Sequence, residues 1–231
     1  MTTTRRWTLA LLGTAAPLAV GAAHAQELNL YSSRHYDTDE RLYSQFEERT
    51  GITINRIEGK ADELIARIEA EGANSPADVL LTVDAGRLWR ADEAGLFQPV
   101  QSDVLAERIP EELRHPDGHW YGFSTRARII YYDQGEIDPG LVQTYADLAR
   151  PELEGEVCIR SSTNIYNLSL MASLIEHLGA EAAEAWAEGV VANFARDPQG
   201  GDTDQIRAIA AGACGVSLGN HYYFARLMRS E

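Results

Sequence analysis

The sequence predicts an α/β protein of two lobes. Three observations carry that expectation: short apolar runs alternate with amphipathic helical stretches from Leu28 to Gly95; a turn-rich segment without that pattern follows Phe97; and a second α/β series opens at Glu156.

The elements follow in order. LNLYSS (28–33) reads as a strand and DERLYSQFEERTG (39–51) as a helix closed by Gly51. ITINRIEG (52–59) is the next strand, and ADELIARIEAEG (61–72) a helix with Leu64, Ile65 and Ile68 on one face. ADVLLTVD (77–84) is apolar enough for a fully buried strand, and AGRLWRADEAG (85–95) is the helix after it. A βαβαβα order implies a parallel sheet with helices on both sides. Residues 99–120 read as loop and turn, and YGFSTRARIIYYD (121–133) as a candidate strand pair carrying the chain to a second lobe. There EVCIRSS (156–162) and CGVSLGN (214–220) are strands, with helices over 167–179, 182–194 and 202–213. A last helix starts near Tyr222, and the chain stops within it at Glu231, so the second lobe is expected to be incomplete at its C-terminus.

Residues 1–25 combine Arg5-Arg6, an apolar run from Trp7 to about Val20 and a small-residue site at Ala23-His24-Ala25, which is the pattern of a cleaved secretory signal peptide. Gly13 and Pro17 interrupt the run, which argues against a membrane anchor. The arginine pair fits both general and twin-arginine export. The expected division is therefore a signal peptide at 1–25, an N-terminal lobe at 26–124 and a second lobe at 125–231.

The whole chain has a formal charge of −15, and loss of Arg5 and Arg6 leaves 18 basic against 35 acidic residues, or −17. Lys60 is the single lysine. Such a surface excludes nucleic acid and anionic membranes as natural partners and is compatible with a cation. Cys158 and Cys214 stand in an exported chain, where pairing is the default, and they lack zinc-ligand spacing.

Three places share one position in the pattern. His35-Tyr36 follows the first strand, Tyr166 follows EVCIRSS, and Tyr222-Tyr223 follow CGVSLGN; each lies between a strand end and a helix start, where open α/β sheets bind ligands. Neighbouring phenols can converge only where the backbone turns, and a helix N-terminus favours an anion such as phenolate. A phenol with pKa near 10 is a poor ligand for most ions at neutral pH, but a trivalent hard cation stabilises the deprotonated oxygen. Calcium calls for carboxylates and carbonyls, and zinc for thiolate or imidazole. Four tyrosines with one histidine suit ferric iron best.

The segments YSSRHYDTD, RSSTNIYN and LGNHYYFARL resemble the ligand segments of the periplasmic ferric-iron-binding proteins that feed ABC transporters, in the group with one histidine and four tyrosines. The resemblance runs from about Leu28 to the last residue, and the paired tyrosines are its specific part. It implies a type 2 two-lobed periplasmic binding fold, with Fe3+ as transported ligand, an inner-membrane ABC permease as partner, a monomer in the periplasm and no catalysis. Carried over, it makes His35, Tyr36, Tyr166, Tyr222 and Tyr223 the metal ligands. Arg126 and Arg226 become neighbours that offset phenolate charge, with Arg128 an alternative to Arg126. Members of the family continue for roughly another hundred residues.

Competing readings remain at this point. Tyr131-Tyr132 are adjacent within an apolar strand and read as core and surface neighbours. His115, His119, His177 and His221 lack a convergent partner in the sequence. The same fold could hold an organic anion or a sugar. GVSLG (215–219) matches the letters of a serine nucleophile elbow, but Ser217 falls inside a strand rather than on a strand–helix turn.

Overall fold

A computed structural model describes residues 26–34 and 36–230. The signal peptide expected at 1–25, and His35, lie outside the described residues.

The first sheet contains β1 (Glu27–Ser32), β2 (Thr53–Glu58) and β3 (Val79–Leu81), in the order β2-β1-β3. Both pairings are parallel, with Tyr31 opposite Ile57 on one side and Leu80 on the other. Parallel neighbours need crossovers, and these are α1 (Asp37–Thr50) and α2 (Ala61–Glu71), with α3 (Ala85–Glu93) after β3. Tyr31 is fully buried against Leu64 and Ile68, which lie four residues apart on one face of α2. At roughly 1.5–3 kcal/mol per buried side chain, this contact ties sheet to helix. The expectation of a fully buried strand over 77–84 is overturned. β3 spans only Val79–Leu81 and is an edge strand, so Val79 stays 42% exposed.

The connecting segment is more ordered than its turn-rich composition suggests. Within it α4 (Asp103–Arg108) starts where the Ser102 hydroxyl accepts the Leu105 amide at 3.4 Å. Of the strand pair expected over 121–133, Tyr121 makes an isolated bridge with Arg114, and Arg128–Tyr132 forms β4.

The second sheet has the order β4-β6-β5, with β5 (Val157–Cys158) parallel and β4 antiparallel to β6 (Val216–Asn220). Around it lie α5 (Ile165–Leu178), α6 (Ala180–Ala192), α7 (Asp202–Ala210) and α8 (His221–Ser230). All five residues of β6 are buried. Val216 and Leu218 pack with Leu148, Leu153, Val157 and Val190, while Tyr131, Cys158, Ile206, Ile209 and Cys214 form a neighbouring cluster. Tyr131 and Tyr132 divide as alternation requires, one to each cluster. Cys158 and Cys214 form the expected disulfide, with Cα atoms 5.8 Å apart. Among the described residues no helix is long and apolar enough to cross a membrane.

Candidate functional site

Each tyrosine is placed by a strand-to-helix junction. Tyr36 is the extended residue capping α1 (φ −98°, ψ 132°), and the Arg34 guanidinium stands 5.1 Å from its ring centroid. Arg34 is itself fixed by a fork on Asp39, Nε to Oδ2 at 2.9 Å and Nη2 to Oδ1 at 3.0 Å. Tyr166 opens α5, where the Asn164 side chain caps the helix by accepting the Tyr166 amide at 3.0 Å.

Tyr222 and Tyr223 occupy the first turn of α8, directly after β6. Their rings are 4.3 Å apart and tilted by 36°. The preceding Gly219 is dictated by packing, because a Cβ there would lie 2.6 Å from the Tyr131 ring and 3.3 Å from Asp202 Cβ. Removing that side chain lets the strand run against Tyr131, whose hydroxyl donates to the Asn220 carbonyl at 2.6 Å. The junction that presents the two phenols is therefore held from behind.

A buried carboxylate organises the rest. Asp202, 1% exposed, accepts Arg128 Nη1 and Arg160 Nη1, each at 3.1 Å, and the Asn220 amide at 2.9 Å. Arg128 also donates from Nη2 to Asn167 Oδ1 at 2.6 Å. These arginines surround one phenol: the Tyr166 ring centroid lies 4.7 Å from the guanidinium carbon of Arg126, 5.3 Å from Arg160 and 6.0 Å from Arg128. Both sequence candidates, Arg126 and Arg128, thus stand beside Tyr166. Arg226 is exposed and lies one helical turn beyond Tyr222. Sequence reasoning does not single out Arg160, although its place at the end of EVCIRSS, two residues after Cys158, is the signal that finds it.

Tyr222 and Tyr223 sit in a buried, electrostatically crowded place. Burial pushes Tyr222 well above the usual phenol range and raises Tyr223 as well. A hydrogen bond between the two raises Tyr222 further and lowers Tyr223, as expected if Tyr222 donates and Tyr223 accepts. The charge of Tyr166 raises both, and that of Tyr36 raises Tyr223. Asn220 approaches the Tyr222 oxygen and lowers it, while its buried Nδ2 has no partner of good geometry among the described residues. The raised Tyr222 and Tyr223 hydroxyls hold their protons at neutral pH, and a hard cation would have to replace them.

A cleft of about 740 Å³ opens beside this group, walled by Thr82–Gly86, which follow β3, and by Arg126, Arg128, Tyr166 and Ser169. Tyr166 is the one candidate tyrosine in its wall. Ser217 is fully buried in β6, paired with Tyr131 and Cys158, so it is not the exposed turn residue that a nucleophile elbow requires.

Residues 74–231 match the family model described as bacterial extracellular solute-binding protein. The chain belongs to this family. Among curated relatives, it is 57% identical over 216 residues to iron uptake protein A1 of Synechocystis, covering 94% of this chain and 60% of that one. It is 30% identical over 219 residues to the Fe(3+)-binding periplasmic protein of Serratia marcescens, covering 93% and 64%. Its fold superposes on a Trichodesmium protein in complex with iron and citrate ligands with a TM-score of 0.84 at 58% identity, covering 88% of this chain and 64% of that one. The ferric binding protein from Campylobacter jejuni gives a TM-score of 0.81 at 45% identity, covering 86% and 63%. The fold of this solute-binding protein is thus the two-lobed α/β fold of its structural neighbours, and the chain spans about 60% of the length of the curated relatives named first.

Proposed function

We propose that the protein captures ferric iron in the periplasm and hands it to an ABC-type permease, with Tyr36, Tyr166, Tyr222 and Tyr223 as phenolate ligands and His35 as the fifth. The observation that carries this reading is geometric: three strand-to-helix junctions present Tyr36, Tyr166 and the Tyr222–Tyr223 pair, whose rings are 4.3 Å apart. Four phenolates around a trivalent ion leave one excess negative charge, and Arg126, Arg128 and Arg160 beside Tyr166 offset it. The iron-related names of the relatives point the same way. The lobes divide near residue 125, and closing them would shield the site from water. The protein works as a monomer, and binding and release involve no chemical turnover.

The guanidinium groups around Tyr166 also favour a small carboxylate anion in the cleft, alone or beside iron. A visible spectrum separates the readings. Ferric titration of the mature protein produces a phenolate charge-transfer band that fades on acidification, as protons compete with the ion for each tyrosine. A protein that stays colourless with ferric ion while binding citrate would be an organic-anion receptor instead.

A further inference from the structure

Asp92, in the last turn of α3, meets two histidines from the turn that follows α4. Its Oδ2 lies 3.2 Å from His115 Nε2 and its Oδ1 2.6 Å from His119 Nδ1. The two imidazoles stack with centroids 4.7 Å apart and planes within 4°, and Trp120 meets His115 edge-on at 5.9 Å. One donor atom from each of the three side chains falls within 4.8 Å of the other two. Side-chain exposure is 15% for Asp92, 22% for His115 and 29% for His119, leaving one side open to a water ligand.

From this arrangement we infer that Asp92, His115 and His119 form a second metal site, for a divalent cation of the zinc class, which clips the end of α3 to the 114–121 turn. Two imidazoles and one carboxylate are the donor set of an open zinc site. Tetrahedral bonds of about 2.0–2.2 Å separate ligand atoms by roughly 3.3–3.5 Å, so modest side-chain rotation closes the set. A single anionic ligand does not satisfy a trivalent hard ion, so the site discriminates against ferric iron.

Two further features favour a cation here. Asp92 and Glu93 are both acids at the negative end of α3, where the helix dipole disfavours carboxylates. The turn bearing the histidines is also preformed, with the His115 amide donating to the Trp120 carbonyl and the Gly118 amide to the His115 carbonyl, both at 3.0 Å. Gly118 sits at φ 81°, and a Cβ there would lie 2.5 Å from the Val100 carbonyl oxygen, so only glycine closes the turn against that segment. Without metal, His115 Nδ1 accepts the Asp117 amide at 3.1 Å, which puts the ring proton on Nε2. Binding through Nε2 moves that proton to Nδ1 and gives up this exposed hydrogen bond, while His119 binds through Nδ1 with its proton on Nε2 and exchanges its contact with Asp92 for the shared metal.

The test is calorimetric titration of zinc sulfate into chelator-stripped protein. One zinc per chain is expected, and the same stoichiometry in the Tyr222→Phe, Tyr223→Phe protein, which places zinc away from the tyrosines. His119→Ala and Asp92→Asn should each weaken it at least tenfold, and His115→Ala with His119→Ala should abolish it, with circular dichroism confirming the fold. Cobalt(II) in the unmutated protein should show the visible bands of a four-coordinate site, a readout that needs no variant. No zinc uptake, unchanged uptake in the double histidine variant, or loss of uptake in the tyrosine variant would each overturn the assignment.

Discussion

Asp84 Oδ2 accepts Arg126 Nη2 at 2.9 Å, joining the end of the first sheet's connection to the arginine beside Tyr166. The other oxygen, Oδ1, takes the Ser169 hydroxyl of α5 at 2.5 Å and the Gly86 amide at 3.0 Å, so one carboxylate caps α3 and holds both Arg126 and Ser169. Asp84 does this at φ 79°, the one positive φ at a non-glycine position among the described residues. Such a conformation costs of order 1–3 kcal/mol and persists only where its surroundings hold it.

Asp84→Gly removes that strain but loses every side-chain contact, whereas Asp84→Asn keeps the cap and the strain while losing the ion pair. Asp84→Ala loses the contacts and keeps the strain. Urea denaturation should therefore place Ala below both Asn and Gly, and about 2–4 kcal/mol below the parent. An Ala variant as stable as the parent would show that the carboxylate contacts contribute nothing.

Asp202 carries a larger stake because it is buried between two guanidinium groups. Asp202→Asn leaves Arg128 and Arg160 without their counter-charge, at a cost of about 3–5 kcal/mol. The midpoint of a urea transition reads this directly, and a change below about 1 kcal/mol would contradict the packing described.

The Cys158–Cys214 bridge spans 56 residues of sequence and ties β5 to the approach of β6. In the chain-entropy model a loop of that size contributes about 4 kcal/mol. Reductant, or the double Cys158→Ser, Cys214→Ser replacement, should lower stability by an amount of that order. Intact mass after alkylation without reduction should show no modified thiol.

Burial pushes the Tyr131 hydroxyl up to about 12, with the nearby Asp202 charge adding to the effect. The folded state therefore holds this proton more tightly than the unfolded chain, whose phenols titrate near 10. The contribution is fully present below pH 10 and is lost as pH rises from about 10 to about 12, by about 2–3 kcal/mol. Tyr222 and Tyr223 are also raised and steepen the loss. Tyr131→Phe forfeits the hydrogen bond to Asn220, about 1 kcal/mol at neutral pH, yet its stability should fall less steeply above pH 10. Denaturant midpoints across that range compare the two slopes.

The first sheet was legible because period-2 and period-3.6 patterns alternate cleanly there, and its crossovers leave parallel pairing as the solution. β5 was legible only in part: EVCIRSS suggested seven residues, but the ladder with β6 covers only Val157 and Cys158. On its other edge Val157 pairs with Phe194, its amide donating to the Asn193 carbonyl at 2.9 Å and the Ala195 amide donating to the Val157 carbonyl at 2.9 Å. No local pattern encodes such a partner almost forty residues away. The tyrosines were visible because each follows a strand and precedes a helix. Arg160 was not, since its neighbours come from distant segments; the His115–His119 spacing of four fits a ligand pair, but Asp92, which completes the cluster, comes from α3 and no local pattern links it to them.

Replacing Tyr222 and Tyr223 by phenylalanine separates the site's chemistry from its packing. Each change keeps the ring and the 4.3 Å stacking partner and removes one oxygen, so the α8 junction, anchored by Gly219 and the Tyr131–Asn220 bond, should hold. Neither oxygen is a required support for the fold. If Tyr222 donates to Tyr223, its loss leaves Tyr223 without the bond that lowers it, so Tyr222→Phe should also make the remaining site more sensitive to acid. The double variant should lose ferric colour and most of its affinity. His35→Ala should cost less, because a neutral imidazole neither compensates a trivalent charge nor matches its hardness as well as a phenolate. Ferric titration followed by visible absorbance, on proteins shown to be folded by circular dichroism, orders the three variants. A double phenylalanine protein with unchanged colour and affinity would remove these tyrosines from the site and give the small-anion reading the lead.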